Sequence, residues 1–333
     1  KEIEEIDNKI KDLNDISQNT ISKENATNKN ILGRYVPNEW QIKEAYTKLQ
    51  QLAQNLFVDE WIEVVGKSCE SPTVLDGFPM PTAPSNEVQV EFVGSYGRHA
   101  LRAGGKFYKF VLSVFEQMNQ TAPSKFLDFG CGWGRFTRLF LREVPEGGLY
   151  AADPWPYAIN LCRTHFPFAC FVQSDYLPPL PFREKYFDVI IAYSVFSHLA
   201  EHAAKLWFAE ISRILKPGGL LIATTHGPWL LKNIEEIRKG QRKPYNTWQE
   251  GLAKFLPDTQ KIISDLEAGK FVFVPNPHHK GALPGDIYGQ AFIPKTYICA
   301  TLCQDLKFID YIADPQRVVQ AVFVLQKPLK EAK

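Results

Sequence analysis

The chain has 333 residues, 45% of them hydrophobic, and a formal net charge of +1. That length buries one large core plus an accessory region, and the near-neutral charge excludes a general electrostatic pull towards nucleic acid or an anionic membrane surface. The six cysteines, Cys69, Cys131, Cys162, Cys170, Cys299 and Cys303, form neither a CxxC pair nor a zinc-ligand pattern with histidine, so no metal is expected. Cys131, Cys162 and Cys170 lie in or beside apolar stretches, where free thiols act as small hydrophobes, and this favours a reducing compartment. No leader-like or membrane-length apolar run is found, so a cytoplasmic protein without a membrane span is expected. The chain opens on Lys1 rather than methionine, as a trimmed chain or a piece of a longer polypeptide would.

In chain order, Ile3, Ile6, Ile10, Leu13 and Ile16 repeat at helical spacing before a polar linker that ends near residue 30. This short amphipathic helix suits either a homodimer through its apolar stripe or docking on its own chain. Residues 39–65 carry Trp40, Ile42, Tyr46, Leu49, Leu52 and Leu56 on one stripe, which predicts a single packed helix. Residues 71–86, with four prolines, predict an irregular connector. Gly94, Ser95, Tyr96, Gly97 and Arg98 predict a loop over 91–103, placed to close over a ligand, that leads into a helix over 106–118. We expect a helical N-terminal extension and linker over 1–85 and the main domain over 86–333.

From Lys125 onward strands and helices alternate, the pattern of a doubly wound, mostly parallel α/β sheet. Strands are predicted at 126–129, 148–152, 169–173, 187–193, 220–225, 308–313 and 318–326, seven in all, the last antiparallel. A helix over 201–215 presents Ala204, Trp207, Phe208, Ile211 and Leu215 on one face, and Lys216-Pro-Gly-Gly219 is its stop signal. A long insertion at 228–292 follows the fifth strand, with a helical part around Trp248, Leu252 and Phe255 and a strand-like run over 271–275. Insertions of this size at the active-site end shape an acceptor pocket or lid, and Trp229, Tyr245 and Trp248 are candidates to stack on a planar face or to pack a core.

The chemistry centres on Asp128, which stands two residues ahead of Gly130-x-Gly132-x-Gly134 at a strand-to-helix corner. Glycines there allow left-handed torsions and close approach of a ligand. A pyrophosphate at the helix N-terminus would be repelled by Asp128, which disfavours a nicotinamide oxidoreductase. A zwitterionic, cationic ligand such as S-adenosylmethionine fits instead, with Asp128 facing an ammonium through a water or an amide. Asp153 closes the second strand at the spacing where an acid meets a ribose, or else caps the helix that begins at Pro154. Asp175, in Gln173-Ser-Asp-Tyr-Leu177, is placed for an adenine amino group with Tyr176 or Leu177 on the ring, or serves a turn.

Four motifs together resemble the class I S-adenosylmethionine-dependent methyltransferases: Asp128 to Gly134, Asp153, Tyr186-Phe-Asp-Val-Ile-Ile-Ala192 and Leu215-Lys-Pro-Gly-Gly219. They cover about residues 90–328. The resemblance implies a cofactor-binding set of Asp128, Gly130, Cys131, Gly132, Gly134, Asp153, Pro154, Ser174, Asp175, Tyr176 and Tyr193. A narrower resemblance, carried by Tyr193-Ser-Val-Phe-Ser-His-Leu199, Thr224-Thr-His-Gly227, Tyr288-Gly-Gln-Ala-Phe292 and Val319-Gln-Ala-Val-Phe-Val-Leu325, is to a bacterial subgroup associated with glycan biosynthesis. It implies a sugar hydroxyl of a glycan or glycosylated small molecule as acceptor. The alternatives are a non-sugar natural product, a nitrogen acceptor, or a non-catalytic subunit that keeps the cofactor fold.

Methyl transfer is an in-line displacement, so the protein's main task is alignment. A hydroxyl acceptor also loses a proton, and His198 and His226, beyond the fourth and fifth strands, stand where open α/β sheets place their sites. His226 is the first choice; His198 competes with a structural role. His278 and His279, in a loop rich in proline and glycine, read as metal ligands or as solvated side chains.

Overall fold

The structure, a computed structural model, describes residues 39–118, 122–275 and 284–329. The N-terminal repeat from Ile3 to Ile16, with the homodimer expected through it, and the His278-His279 pair lie outside the described residues. The chain divides into units 1–44 and 45–333, and the packing described here concerns the second.

Helices α1 (Glu39–Gln54) and α2 (Val58–Ser68) replace the single predicted helix. The break is local: Phe57 is extended, and its N–H donates to Glu60 Oε2 at 2.9 Å while Glu60 sits in the first turn of α2. Within the proline-rich connector, β1 (Val74–Leu75) and β2 (Phe78–Pro79) form a tight hairpin. Its turn, Asp76 (φ 46°) and Gly77 (φ 77°), has both central residues left-handed, as a type I′ turn requires.

The loop predicted over 91–103 is largely helical. Helix α3 (Asn86–Val93) ends at left-handed Gly94, and α4 runs over Gly97–Gln117, nine residues earlier than expected. Gly104 and Gly105 lie inside α4, where they serve packing. A Cβ on Gly105 would lie 2.8 Å from Ile62 Cδ1, so the glycine lets α2 and α4 approach closely.

The main sheet comprises β3 (Phe126–Phe129), β4 (Leu149–Asp153), β5 (Cys170–Gln173), β6 (Phe187–Ala192), β7 (Leu215–Thr225), β10 (Lys307–Ile312) and β11 (Ala321–Gln326). Its spatial order is β10-β11-β7-β6-β3-β4-β5. Strands β3 to β7 run parallel, and β11, the last, pairs antiparallel with both β7 and β10. The expected doubly wound, seven-stranded architecture is thus present. Strand β7 begins five residues before its predicted start and absorbs Lys216 to Gly219, because Leu215 pairs with Phe187 and Lys216 Nζ meets Asp188 Oδ1 at 2.6 Å.

Strand alternation divides the core in two. Phe126, Ala151, Val189, Ile191, Leu220 and Ile222 face one layer, with α1, α2, α4, α5 (Arg135–Phe140) and α6 (Pro156–His165). Leu127, Ala152, Ile190, Ala192, Leu221 and Ala223 face the other, with α7 (Glu201–Ile214) and a π-helical turn over Ile298–Leu302. Hydrogen bonds fasten the first helices to this body, among them Tyr46 Oη donating to the Val144 carbonyl at 2.7 Å and Trp61 Nε1 to that of Leu139 at 2.9 Å.

The insertion folds around its own small core. Leu230, Leu231 and Ile234 of α8 (Trp229–Arg238) pack with Leu252 of α9 (Thr247–Phe255) and Ile262 of α10 (Thr259–Glu267). The antiparallel pair β8 (Val272–Pro275) and β9 (Gly289–Phe292) completes it, and Phe292 joins that core. A short helix, α11 (Lys295–Tyr297), leads on to the π-helical turn. Cys170 is exposed, contrary to its expected core position, whereas Cys131 and Cys162 are buried; all six thiols are free. Among the described residues no helix is long and apolar enough to cross a membrane, and no group of three or more His, Cys, Asp or Glu is placed to hold a metal ion.

Candidate active site

The carboxyl ends of β3 to β6 open into a cavity of about 380 Å³, the size of a small-ligand site. Its floor is the loop between β3 and α5, where Gly130 (φ 76°), Gly132 (φ 52°) and Gly134 (φ 82°) are all left-handed. A Cβ on Gly130 would stand 2.3 Å from Val195 Cγ2, so this glycine answers to space as well as torsion. Backbone bonds hold the loop to the next strand: the N–H groups of Gly130 and Cys131 donate to the Ala152 carbonyl at 2.8 and 3.1 Å.

Asp153 lines the cavity and organises it. Its Oδ2 accepts the Gly132 N–H and its Oδ1 the Trp155 N–H, each at 2.9 Å. It therefore caps the following turn while lining the cavity, and each oxygen retains capacity to accept a further hydrogen bond. Burial pushes its carboxyl up to about 6, against the pull of those two N–H groups.

Asp128 is 1% exposed and stands behind the glycine loop rather than on the cavity wall. Its Oδ2 accepts the Thr137 hydroxyl at 2.6 Å. Burial raises this carboxyl to about 6, while the Thr137 bonds and the Arg135 charge oppose the shift. Two acids that are costly to ionise thus flank the same loop, and a nearby ligand cation would relieve both.

Gly130, Cys131, Gly132, Asp153, Pro154, Ser174, Asp175, Tyr176 and Tyr193 all line the cavity; Gly134 lies just beyond its wall. Ser174 Oγ is buried without a hydrogen-bond partner. The wall also holds residues that the sequence did not assign to the site: Glu91, Phe92, Trp133, Arg135, Trp155, Val195, Trp207 and Tyr288. Phe92, from α3, roofs the loop, since a Cβ on Gly132 would lie 3.2 Å from its ring, and it packs on Trp155 with centroids 5.0 Å apart.

Of the two histidines, only His198 reaches the cavity. Its Nδ1 bonds the Gly289 carbonyl of β9 at 2.8 Å, and a carbonyl only accepts, so Nδ1 carries the proton and Nε2 the lone pair. Tyr288 stacks on the ring with centroids 5.0 Å apart. Nε2 lies 3.3 Å from Ser194 Oγ, a residue held at φ 61°. Gln320 Nε2 donates to Ser194 Oγ at 3.0 Å, and Thr224 Oγ1 donates to Gln320 Oε1 at 2.6 Å. Burial lowers the His198 pKa, the Gly289 bond partly opposing it.

His226 is buried behind this group, its ring 5.5 Å from that of His198. Its Nε2 donates to Gln290 Oε1 at 2.9 Å, and burial with the neighbouring His198 lowers its pKa to about 3. Trp229, Tyr245 and Trp248 do not line the cavity. Trp229 packs over Gly227, Tyr245 bonds His99 at 2.5 Å, and Trp248 lies 5.9 Å from the His226 ring.

Residues 127–223, which span β3 to most of β7, match the family model of a methyltransferase domain. Over that span the chain is similar to a methyltransferase domain. A malonyl-[acyl-carrier protein] O-methyltransferase of a Paenibacillus species is 28% identical over 158 residues, 44% of this chain and 56% of that protein. A tRNA N(3)-cytidine methyltransferase of Gallus gallus is 26% identical over 140 residues, 39% of this chain and 38% of that protein. The chain spans about half the length of the curated relatives it matches. A crystal structure of the PH0226 protein of Pyrococcus horikoshii is 18% identical with a TM-score of 0.45, over 66% of this chain and 91% of that one.

The cofactor of the methyltransferase domain is S-adenosylmethionine. The residues present fit it: a glycine cradle that a Cβ would fill, an orphaned Ser174 hydroxyl beside two acids, and a buried pair of carboxyls that favour a cation.

Proposed function

We propose that the protein transfers a methyl group from S-adenosylmethionine to an acceptor hydroxyl, with His198 as the base. The observation that carries this reading is one continuous cavity joining the glycine loop, Asp153 and Asp175 at one end to the lone pair of His198 at the other. The cofactor supplies an electrophilic methyl on a sulfonium. Asp153 holds the ribose hydroxyls, Asp175 with Ser174 and Tyr176 the adenine, and Asp128 offsets the ligand's positive charge from behind the loop. Gly130, Cys131, Gly132 and Gly134 form the floor, Pro154 lines the wall between Asp153 and the helix that begins at Pro156, and Tyr193 closes the methionine end.

His198 takes the acceptor proton on Nε2. Burial keeps it neutral at ordinary pH, so it is ready as a base rather than an acid. Ser194 and Gln320 are positioning residues that aim it. His226, out of reach of the cavity, supports His198 and does not itself remove the proton.

For the acceptor we favour a sugar hydroxyl, because Phe92, Trp155 and Tyr288 offer flat apolar faces in the same cavity as the base. The second reading follows the relatives, an O-methyltransferase of malonyl-acyl carrier protein and a tRNA cytidine N-methyltransferase. An acceptor oxygen already charged, or a neutral nitrogen, needs no base. Free, partly buried thiols suit the reducing cytoplasm. The test is transfer of labelled methyl to a panel of glycans, acids and amines, read by mass spectrometry. Labelled hydroxyl products that vanish in His198→Ala support the proposal; transfer only to acids or amines, untouched by His198→Ala, overturns it.

A further inference from the structure

We propose that Arg135 is the anchor for the carboxylate of the cofactor's amino-acid end. This rests on the S-adenosylmethionine reading above and assigns a residue to the part of the ligand that the acids leave unmatched. Arg135 opens α5 directly after Gly134, is 8% exposed and lines the cavity. It is the one guanidinium or ammonium among the described residues that do so. Its Nε has no hydrogen-bond partner, and no carboxylate among the described residues makes an ion pair with it. Burial lowers its pKa, with Tyr193 and Asp128 opposing, while Asp128 Oδ2 is bonded to Thr137. A buried cation without an anion is costly, and a ligand that brings one removes the cost.

Position chooses the anion. The guanidinium lies over the rings of Phe136, at 4.6 Å, and Tyr193, at 5.1 Å, the latter just beyond β6. Asp153 ends β4 and Asp175 follows β5, on the other side of β3 in the sheet order. A ligand with its nucleoside at those two acids extends its amino-acid end across the glycine loop towards β6, where Arg135 waits. The planar fork of arginine then meets a carboxylate with two parallel N–H···O bonds.

Calorimetry on the full chain with S-adenosylhomocysteine and with 5′-methylthioadenosine, which lacks the amino-acid end, separates the possibilities. Arg135→Met is expected to weaken S-adenosylhomocysteine roughly 10- to 100-fold, the worth of one hydrogen bond between charged groups, and to leave methylthioadenosine within about threefold. Equal weakening of both ligands makes Arg135 merely structural and overturns the inference. Unchanged affinity for both assigns the cation to a carboxylate on the acceptor and also overturns it. If Arg135→Met fails to fold, Arg135→Lys, which keeps the charge but not the fork, must still show a selective loss for S-adenosylhomocysteine. A wild-type chain that binds neither ligand refutes the cofactor reading itself, a different failure.

Discussion

The two ends of the cavity are built on different plans. At the donor end, the loop, Asp153 and Asp175 are each supplied by a strand or by the few residues that follow it, and the bonds that hold them run between adjacent strands. At the acceptor end, His198 is held by a carbonyl 91 residues further along the chain and Ser194 by a side chain 126 residues away. The donor end is therefore a property of a parallel sheet, whereas the acceptor end exists only after the insertion and the last strand have docked. Changes at the first should abolish binding; changes at the second should spare binding and damage transfer.

The largest effect is expected from Gly130→Val, which puts a branched side chain into the Val195 contact at a left-handed torsion. Calorimetry with S-adenosylhomocysteine should detect no binding; retained affinity would show that the loop is not the donor floor. Next is His198→Ala, expected to lower kcat for a hydroxyl acceptor by roughly 10²- to 10⁴-fold with cofactor affinity unchanged. The acid limb of the wild-type pH-rate profile should fall below the ordinary histidine range, because burial depresses the pKa. A limb at or above that range, or an equal loss of cofactor binding in the variant, would erase the contrast between the ends.

Asp128→Asn should trade binding for stability. The folded carboxyl titrates near 6 and the unfolded one near 4, so the folded state holds more protons between those values. The group's contribution to stability is full below about pH 4 and is lost as pH rises through 6. At pH 7 the amide should therefore raise unliganded stability, on the order of 3 kcal/mol, and weaken cofactor binding; urea titration and calorimetry check the two halves. The smallest effect is expected for Gln320→Ala, a several-fold fall in kcat with KM and cofactor affinity unchanged, since it acts only through Ser194. A Gln320→Ala profile identical to wild type would remove Ser194 and Gln320 from the positioning of the base.

The same division explains what could be read in advance. Phe126–Phe129 was located to the residue because its strand signal, glycines and acid are contiguous, and Asp153 at the end of its strand and Asp175 just after its own are placed in the same way. The break between α1 and α2 rests on a local capping bond from Phe57 to Glu60 inside a continuous apolar stripe, whereas the course of α4 and the extension of β7 are set by neighbours from other elements that override local signals. Both histidines could be named, but which of them faces the cavity is decided by the docking of β9. Arg135 carried a usable signal: an arginine at the first helical position of an apolar segment, with no acid three or four residues away.

The partner that fixes the proton on His198 is a peptide oxygen, and every residue type possesses one. Replacing side chains one at a time along β9 would therefore never delete it. A genetic scan of the insertion would score position 289 only through the crowding of a new Cβ, 2.4 Å from the Val274 carbonyl. The insertion can thus drift in sequence, and its acceptor preference with it, while the imidazole keeps its orientation as long as the strand stays in register.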